Sequence, residues 1–256
     1  MCLIVLAVDA HPNFKLILAA NRDEYYERPS APPSFWKEAP QVLAGRDLAA
    51  GGSWMGITVH GRIAAVTNYR DPSSIKPNAP SRGKLVSGFL LGKVSPFDYL
   101  DAASRESARY NGFNLLVGQS DRLIWRSNRS DRTISLSPGI HGLSNHLLDT
   151  PWPKVVRAKA LFEEILHSGK DLPLESLFRL LKDQTVAPDD ELPGTGVPLE
   201  WERILSPIFI TSPTYGTRSS SVLLIDREDR VTFMDRTYNS HPEPVSSATF
   251  EFVLES

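Results

Sequence analysis

The chain has a single cysteine, Cys2, in 256 residues, so no disulfide can close within it. That excludes a disulfide-stapled secreted scaffold and makes a reducing compartment, and so a cytoplasmic location, the expectation. It also removes cysteine-based zinc and iron–sulfur sites. Long apolar runs are missing: a membrane-crossing helix needs about 20 apolar residues, and no stretch here approaches that. The opening MCLIVLAVDA lacks a positive leader, stops being apolar at Asp9 and offers no small-residue cleavage site, so it is not expected to be a signal peptide. Excess charge of one sign is absent too. The 28 Lys and Arg are scattered and balanced by 30 Asp and Glu, for a net charge of -2. Without a basic stripe, no nucleic-acid partner is expected. Gly51-Gly52 precedes a strand-like run and lacks the Lys-Ser/Thr of a phosphate loop. Of the six histidines only His141 and His146 are close, and that spacing makes no zinc site without further ligands. No cofactor is implied.

What remains is ordinary globular material, 41% hydrophobic and 23% charged. A chain of this length can bury roughly three quarters of its unfolded surface, and one domain spanning residues 1–256 is expected. Leu3 to Val8 and Leu16 to Ala20 read as a hairpin buried on both faces, turning at Asp9 to Phe14. The proline-rich stretch Arg28 to Pro40 reads as a surface loop. Trp54 to Val59 and Arg62 to Tyr69, joined at His60-Gly61, read as a second hairpin. Residues 83–110 read as two helices split near Pro96. Strands are expected at Phe113 to Val117, Leu123 to Arg126 and Thr133 to Leu136. The 3.6-residue spacing of Ala158, Leu161, Phe162, Ile165 and Leu166 predicts a helix over Asp149 to His167, opened by Pro-Trp-Pro and closed at Gly169. Leu174, Leu177, Phe178 and Leu181 predict another. Asp183 to Leu199 is polar and Gly/Pro-rich, the expected lid. Strands return at Ile208 to Ile210, Ser220 to Ile225, Val231 to Met234 and Thr249 to Leu254. Hairpins without regular βαβ alternation imply an α+β fold of mostly antiparallel sheets with helices packed outside.

Two features carry candidate chemistry. Removal of Met1 would leave Cys2 with a thiol and a free α-amine of pKa about 7.7–8.0, a nucleophile and its base on one residue. The plain alternative is a buried cysteine opening an apolar strand. Asn21-Arg22-Asp23-Glu24 directly follows the second apolar run. Alternation sends Asn21 and Asp23 to one side and Arg22 to the other. Polar residues ending a buried strand need partners or a ligand; otherwise the strand simply ends in solvent.

A chain that begins Met-Cys-Leu-Ile and carries Ala-Asn-Arg-Asp-Glu near residue 20 resembles the NRDE family, also called the transport-and-Golgi-organisation family. The blocks Gly51-Gly52-Ser53-Trp54-Met55-Gly56, Val66-Thr67-Asn68-Tyr69-Arg70, Gly142-Leu143-Ser144-Asn145 and Tyr215-Gly216-Thr217-Arg218 extend the likeness along the chain. The resemblance implies links to secretory organisation and to lipid or haem handling. The block pattern is also similar to N-terminal cysteine amidases of the penicillin V acylase and bile-salt hydrolase type. That likeness implies a four-layer αββα N-terminal-nucleophile sandwich and hydrolysis of an amide or acyl substrate.

By that likeness Cys2 is the nucleophile and Asp23 contacts the N-terminal residue. Asn68 and Asn145 would form the oxyanion hole, and Arg218 would be the late active-site arginine. Asn21, Arg22, Trp54 and Tyr69, in the same blocks, are candidates for contacting substrate. Taken singly, Asn68 also suits a hairpin end, Asn145 a helix cap and Arg218 a surface ion pair. The chain departs from the amidase pattern at Ala20, where those enzymes carry arginine. Arg22, two residues on, points the same way along the strand. The expected partner is a small-molecule substrate. The competing expectation is a non-catalytic carrier of a hydrophobic lipid, acyl or haem ligand on the same scaffold.

Overall fold

The computed structural model describes residues 2–169 and 172–255. Along the chain run β1 (Cys2–Val8), β2 (Phe14–Tyr25), β3 (Ser30–Trp36), β4 (Ala39–Asp47), β5 (Met55–Thr58) and β6 (Ile63–Asn68). Next come helices α1 (Gly83–Leu91) and α2 (Pro96–Arg105), then β7 (Phe113–Gln119), β8 (Arg122–Ser127), β9 (Thr133–Ser135) and β10 (Gly139–Leu143). Helices α3 (Pro153–His167), α4 (Leu174–Leu181) and α5 (Leu199–Ile204) precede β11 (Tyr215–Asp226), β12 (Arg230–Thr237) and β13 (Ser246–Val253).

The strands form two sheets, ordered β10-β1-β2-β11-β12-β13 and β3-β4-β5-β6-β7-β8-β9. Every strand pair in them is antiparallel. Alternation along the first hairpin divides its apolar side chains between two cores. Ile4, Leu6, Leu16 and Leu18 meet Leu43, Ile57, Leu116 and Trp125 of the second sheet. Leu3, Val5, Ile17 and Ala19 meet Val155, Phe162, Leu177 and Phe178 of α3 and α4. On the far side, Val42, Val66 and Leu115 pack under Val86, Phe89 and Leu100 of α1 and α2. Helices thus cover both outer faces, the αββα layering expected from the sequence.

Four local readings need correction. Arg28 to Pro40 is not a loop: β3 and the start of β4 occupy most of it. Its prolines are tolerated because β3 is an edge strand, where a missing N–H leaves no ladder bond unmade, and the register shifts between Ala31 and Ser34. Ile208 to Ile210 is buried but forms no strand; Ile208 joins the core under α3 and α4, Phe209 packs on Tyr238 and Ile210 packs against α5, with Phe209 N–H donating to the Asp183 carbonyl at 2.8 Å. The α3 helix begins at Pro153 after an extended Trp152. The expected lid, Asp183 to Leu199, runs into α5 and lies along α3, where Thr185 to Pro188 wall a groove with Val156 and Ala160. It contributes no residue to the cavity at Cys2.

Candidate functional site

Strand register assembles the site. β1 and β2 pair Cys2 with Arg22, because β2 continues past its apolar half through the whole Asn21-Arg22-Asp23-Glu24 run. Asn68 ends β6 and Asn145 lies just beyond β10. The sheets part at this end around a cavity of about 370 Å³, lined by Cys2, Arg22, Asp23, Trp54 and Asn68 together with Ala79 to Gly83.

Cys2 is half-buried in that wall. Burial pushes its thiol pKa up, the Asp23 charge adds to this, and the Arg22 guanidinium pulls the other way. Asp23 is only 1% exposed. Its Oδ1 accepts from the Thr217 hydroxyl at 2.7 Å and its carbonyl from the Tyr215 hydroxyl at 3.0 Å. Burial pushes its carboxyl pKa up, opposed by the charge of Lys154 and by the Thr217 bond. Lys154, in the first turn of α3, is itself buried, and burial brings its pKa down to about 8.

The two asparagines are joined. Asn145 Nδ2 donates to the Asn68 carbonyl at 2.9 Å, and the Asn145 carbonyl accepts the Arg70 N–H at 2.7 Å. Ser144 Oγ donates to the Cys2 carbonyl at 3.0 Å, while the Ser144 carbonyl accepts from Thr67 Oγ1 at 2.6 Å. These bonds stitch the end of β10 to the end of β6, and so one sheet to the other, directly behind Cys2. An amide nitrogen carries two N–H donors, so one donor of Asn145 is committed to Asn68 and fixes the group's orientation. Of the two, Asn68 lines the cavity with Cys2 and Asn145 is buried one bond behind it. A neutral amide beside a thiol suits acyl chemistry, where negative charge develops on a carbonyl oxygen.

The other expected residues divide. Trp54 lines the cavity, and its ring lies 4.4 Å from the Arg22 guanidinium carbon. Asn21 is a structural clamp: Nδ2 donates to the carbonyls of Leu181 and Ile208 at 2.7 and 2.9 Å, and Oδ1 accepts from Ser220 at 2.6 Å. The first two bonds tie β2 to the end of α4 and the segment after α5, and the third ties it to the neighbouring strand β11. Tyr69 walls a smaller neighbouring cavity of about 280 Å³ and packs on His146 at 4.9 Å. Arg218 is not among the residues lining the Cys2 cavity. Thr217 pairs with Asp23 and Ser219 with Arg22, so Arg218 is the extra residue of a β-bulge. Its guanidinium turns to the carbonyls of Tyr25 and Tyr26 at 3.1 and 2.7 Å. The two histidines separate, His141 to Asp149 and His146 to Thr150.

Sequence reasoning missed Arg82, Ser144, Thr217 and Lys154. Thr217 and Ser144 lie inside quoted sequence blocks, yet only the register shows that Thr217, not Arg218, reaches Asp23. Arg82 precedes α1 with no local signal of its role. Among the described residues no helix is long and apolar enough to cross a membrane, and no group of three His, Cys, Asp or Glu side chains is gathered to hold a metal ion.

A family profile described as Transport and Golgi organisation 2 matches residues 1–240. The Transport and Golgi organization protein 2 homolog of Bos taurus is 37% identical over 277 residues, covering 100% of each chain. The Homo sapiens homolog is 36% identical over 280 residues, again covering 100% of each. Transport and Golgi organization protein 2 of Drosophila melanogaster is 29% identical over 263 residues, 93% of this chain and 92% of its own. Among solved structures, the mutant C2A conjugated bile acid hydrolase from Clostridium perfringens matches with a TM-score of 0.57 at 11% identity, covering 98% of this chain and 92% of that one. At such low identity the likeness is one of fold: two packed antiparallel sheets between helices, the N-terminal-nucleophile hydrolase architecture. With the profile spanning nearly its whole length and relatives above 30% identity end to end, the chain belongs to the Transport and Golgi organisation 2 family.

Proposed function

We propose that the chain is an N-terminal-nucleophile hydrolase that uses Cys2 to cleave an amide or a related acyl bond. The observation that carries this reading is the bond chain behind Cys2. Ser144 holds the Cys2 carbonyl, and the adjacent Asn145 is fixed on Asn68, a wall residue of the same cavity.

In this reading Met1 is removed and the exposed α-amine of Cys2 takes the thiol proton. The sulfur adds to the substrate carbonyl carbon, the C=O electron pair moves to oxygen, and Asn68, held from behind by Asn145, donates to that oxygen. Collapse breaks the C–N bond, and the leaving amine takes the proton held by the α-amine. Water then attacks the thioester carbon, the C–S bond breaks, the acid departs and the thiol is restored. Asp23 orients the amine, as a base's partner does in other triads. Each oriented donor to the oxyanion is worth about 3–4 kcal/mol of barrier. The test is turnover of a panel of N-acyl amides and thioesters. Cys2→Ala is expected to abolish it, and unchanged turnover in that variant defeats the reading.

A second reading is a carrier on the same scaffold, binding a hydrophobic lipid, acyl or haem ligand without turnover and linked to secretory or Golgi organisation. Ala20, in place of the amidases' arginine, is what favours it. It expects ligand retention equal in wild type and Cys2→Ala, with no covalent adduct by intact mass.

A further inference from the structure

Arg22 has an unusual setting. It points between the sheets, is 7% exposed and sits over Trp54, with its guanidinium carbon 4.4 Å from the ring centroid. Its Nη1 is fully buried and has no hydrogen-bond partner among the described residues. A buried, unsatisfied guanidinium donor is costly, and native proteins keep such a group where something else fills the need. A second cation, Arg82, lines the same cavity from the loop before α1. Its Nη1 donates to the Gly112 carbonyl at 3.0 Å, and among the described residues neither Arg22 nor Arg82 makes an ion pair. The third arginine of the cavity, Arg28, is different: Asp47 takes its Nη2 at 2.7 Å and Glu24 lies 3.7 Å from its Nε.

We propose that the Cys2 cavity binds a carboxylate, held by Arg22 and Arg82, and that the substrate is an amide carrying a carboxylate close to the reacting carbonyl. This rests on Cys2 as the nucleophile and names the substrate class. The geometry favours a planar monoanion. A guanidinium fork matches the two oxygens of a carboxylate. Asp23, Glu24 and Asp47 line the same cavity and would repel a phosphate dianion more strongly than a singly charged group. Trp54, Val66 and Pro80 supply an apolar wall for a short acyl chain.

The experiment separates this subsite from the nucleophile. N-hexanoylglycine, its primary amide and hexyl phosphate are titrated calorimetrically into the Cys2→Ala protein, where no turnover can occur. The acid is expected to bind at least tenfold more tightly than the amide and than the phosphate. Arg22→Gln on that background should remove the preference over the amide. Arg82→Gln, at the half-buried residue before α1, should weaken it severalfold and keeps the test readable if Arg22→Gln does not fold. Equal binding of acid and amide overturns the proposal, as does tighter binding of the phosphate or indifference to both substitutions. Alkylation of Cys2 in the otherwise unaltered protein by neutral iodoacetamide is measured in parallel. An inert thiol there defeats the nucleophile reading, while the acid-to-amide contrast in Cys2→Ala still decides the carboxylate subsite.

Discussion

Glu202 on α5 offers the sharpest stability prediction. Its Oε2 accepts from Arg70 Nη1 at 2.6 Å, with both side chains about 5% exposed or less. Its Oε1 accepts from the N–H and hydroxyl of Thr195 at 2.8 and 2.6 Å. One carboxylate therefore ties α5 and the preceding loop to Arg70, whose own N–H holds the Asn145 carbonyl. Removing one partner of a buried ion pair typically costs about 3–5 kcal/mol, because the remaining charge stays desolvated. For a chain of this size each kcal/mol moves the melting temperature by about 2–4 °C. Glu202→Ala is therefore expected to lower it by roughly 6–20 °C in differential scanning calorimetry, taking the product of those two ranges. The mechanism is desolvated charge rather than lost volume, so Arg70→Met combined with Glu202→Leu should recover at least half of the loss, as apolar replacement of whole buried pairs often does. A single-variant loss below about 1 kcal/mol, or a double variant no more stable than Glu202→Ala, would refute the reasoning.

Two further perturbations test other parts of the structure. Asp149 bonds His141 Nδ1 at 2.9 Å, which raises the His141 pKa above its ordinary value; burial pushes the Asp149 carboxyl up, but the bonds from His141 and from Lys159 Nζ at 2.7 Å outweigh it and hold Asp149 down to about 2. The raised histidine contributes stability below about pH 6.5, lost as pH rises through its folded value, and the depressed carboxylate contributes above about pH 4, lost as pH falls towards 2. The stability advantage over Asp149→Asn, which also suits the positive φ of 56° at this position, should therefore peak between those limits in urea titrations; a flat difference from pH 3 to 9 refutes the pairing. A Cβ on Gly45 would lie 2.3 Å from the Trp54 ring, so Gly45→Ala is expected to shift Trp54 and disturb its contact with Arg22. The expected cost is about 1–3 kcal/mol, with a shifted tryptophan emission and slower Cys2 alkylation; unchanged emission and melting count against a close-packed stack.

The layering was legible because its causes are local. Two-residue alternation split the first hairpin between two cores, and the 3.6-residue repeats of α3 and α4 located the helices that cover it. The failures were tertiary. Pro32 and Pro33 suggest a loop until β3 is known to be an edge. Ile208 to Ile210 is apolar enough for a strand, yet its backbone is spent on Asn21, Asp183 and Thr217 instead. The site follows the same division. Cys2, Asp23 and Asn68 stand out as residue types at strand ends, and the cavity gathers them. Asn145 stands one hydrogen bond behind it, and no spacing rule could have shown that its donor is committed to Asn68. Arg218 misled because a single-residue bulge decides which side chain of Tyr215 to Arg218 faces Asp23.

The position of positive charge links these observations. The amidases that the chain resembles place arginine where this chain has Ala20, and on β2 the two positions Ala20 and Arg22 share the inward face. One step of two residues along a strand is about 6.5 Å, so the cation is displaced towards the open end of the sheets without leaving that face. Ala20 packs into the inter-sheet core, beside Ser221, whose hydroxyl donates to Asp235 at 2.6 Å. Burial lifts the Asp235 carboxyl to about 6, opposed by that bond and by the charge of Arg22. Asp235 is still mostly ionised at pH 7, but among the described residues it forms no ion pair with Arg22 and spends its carboxylate on Ser221. The displaced guanidinium is held instead by Trp54, which has room only because residue 45 is glycine. A cation supported by an aromatic face rather than a carboxylate keeps its charge available to a ligand. On the proposed carboxylate subsite, the step from Ala20 to Arg22 moves the cation that would meet the ligand and leaves the layers that position Cys2 intact.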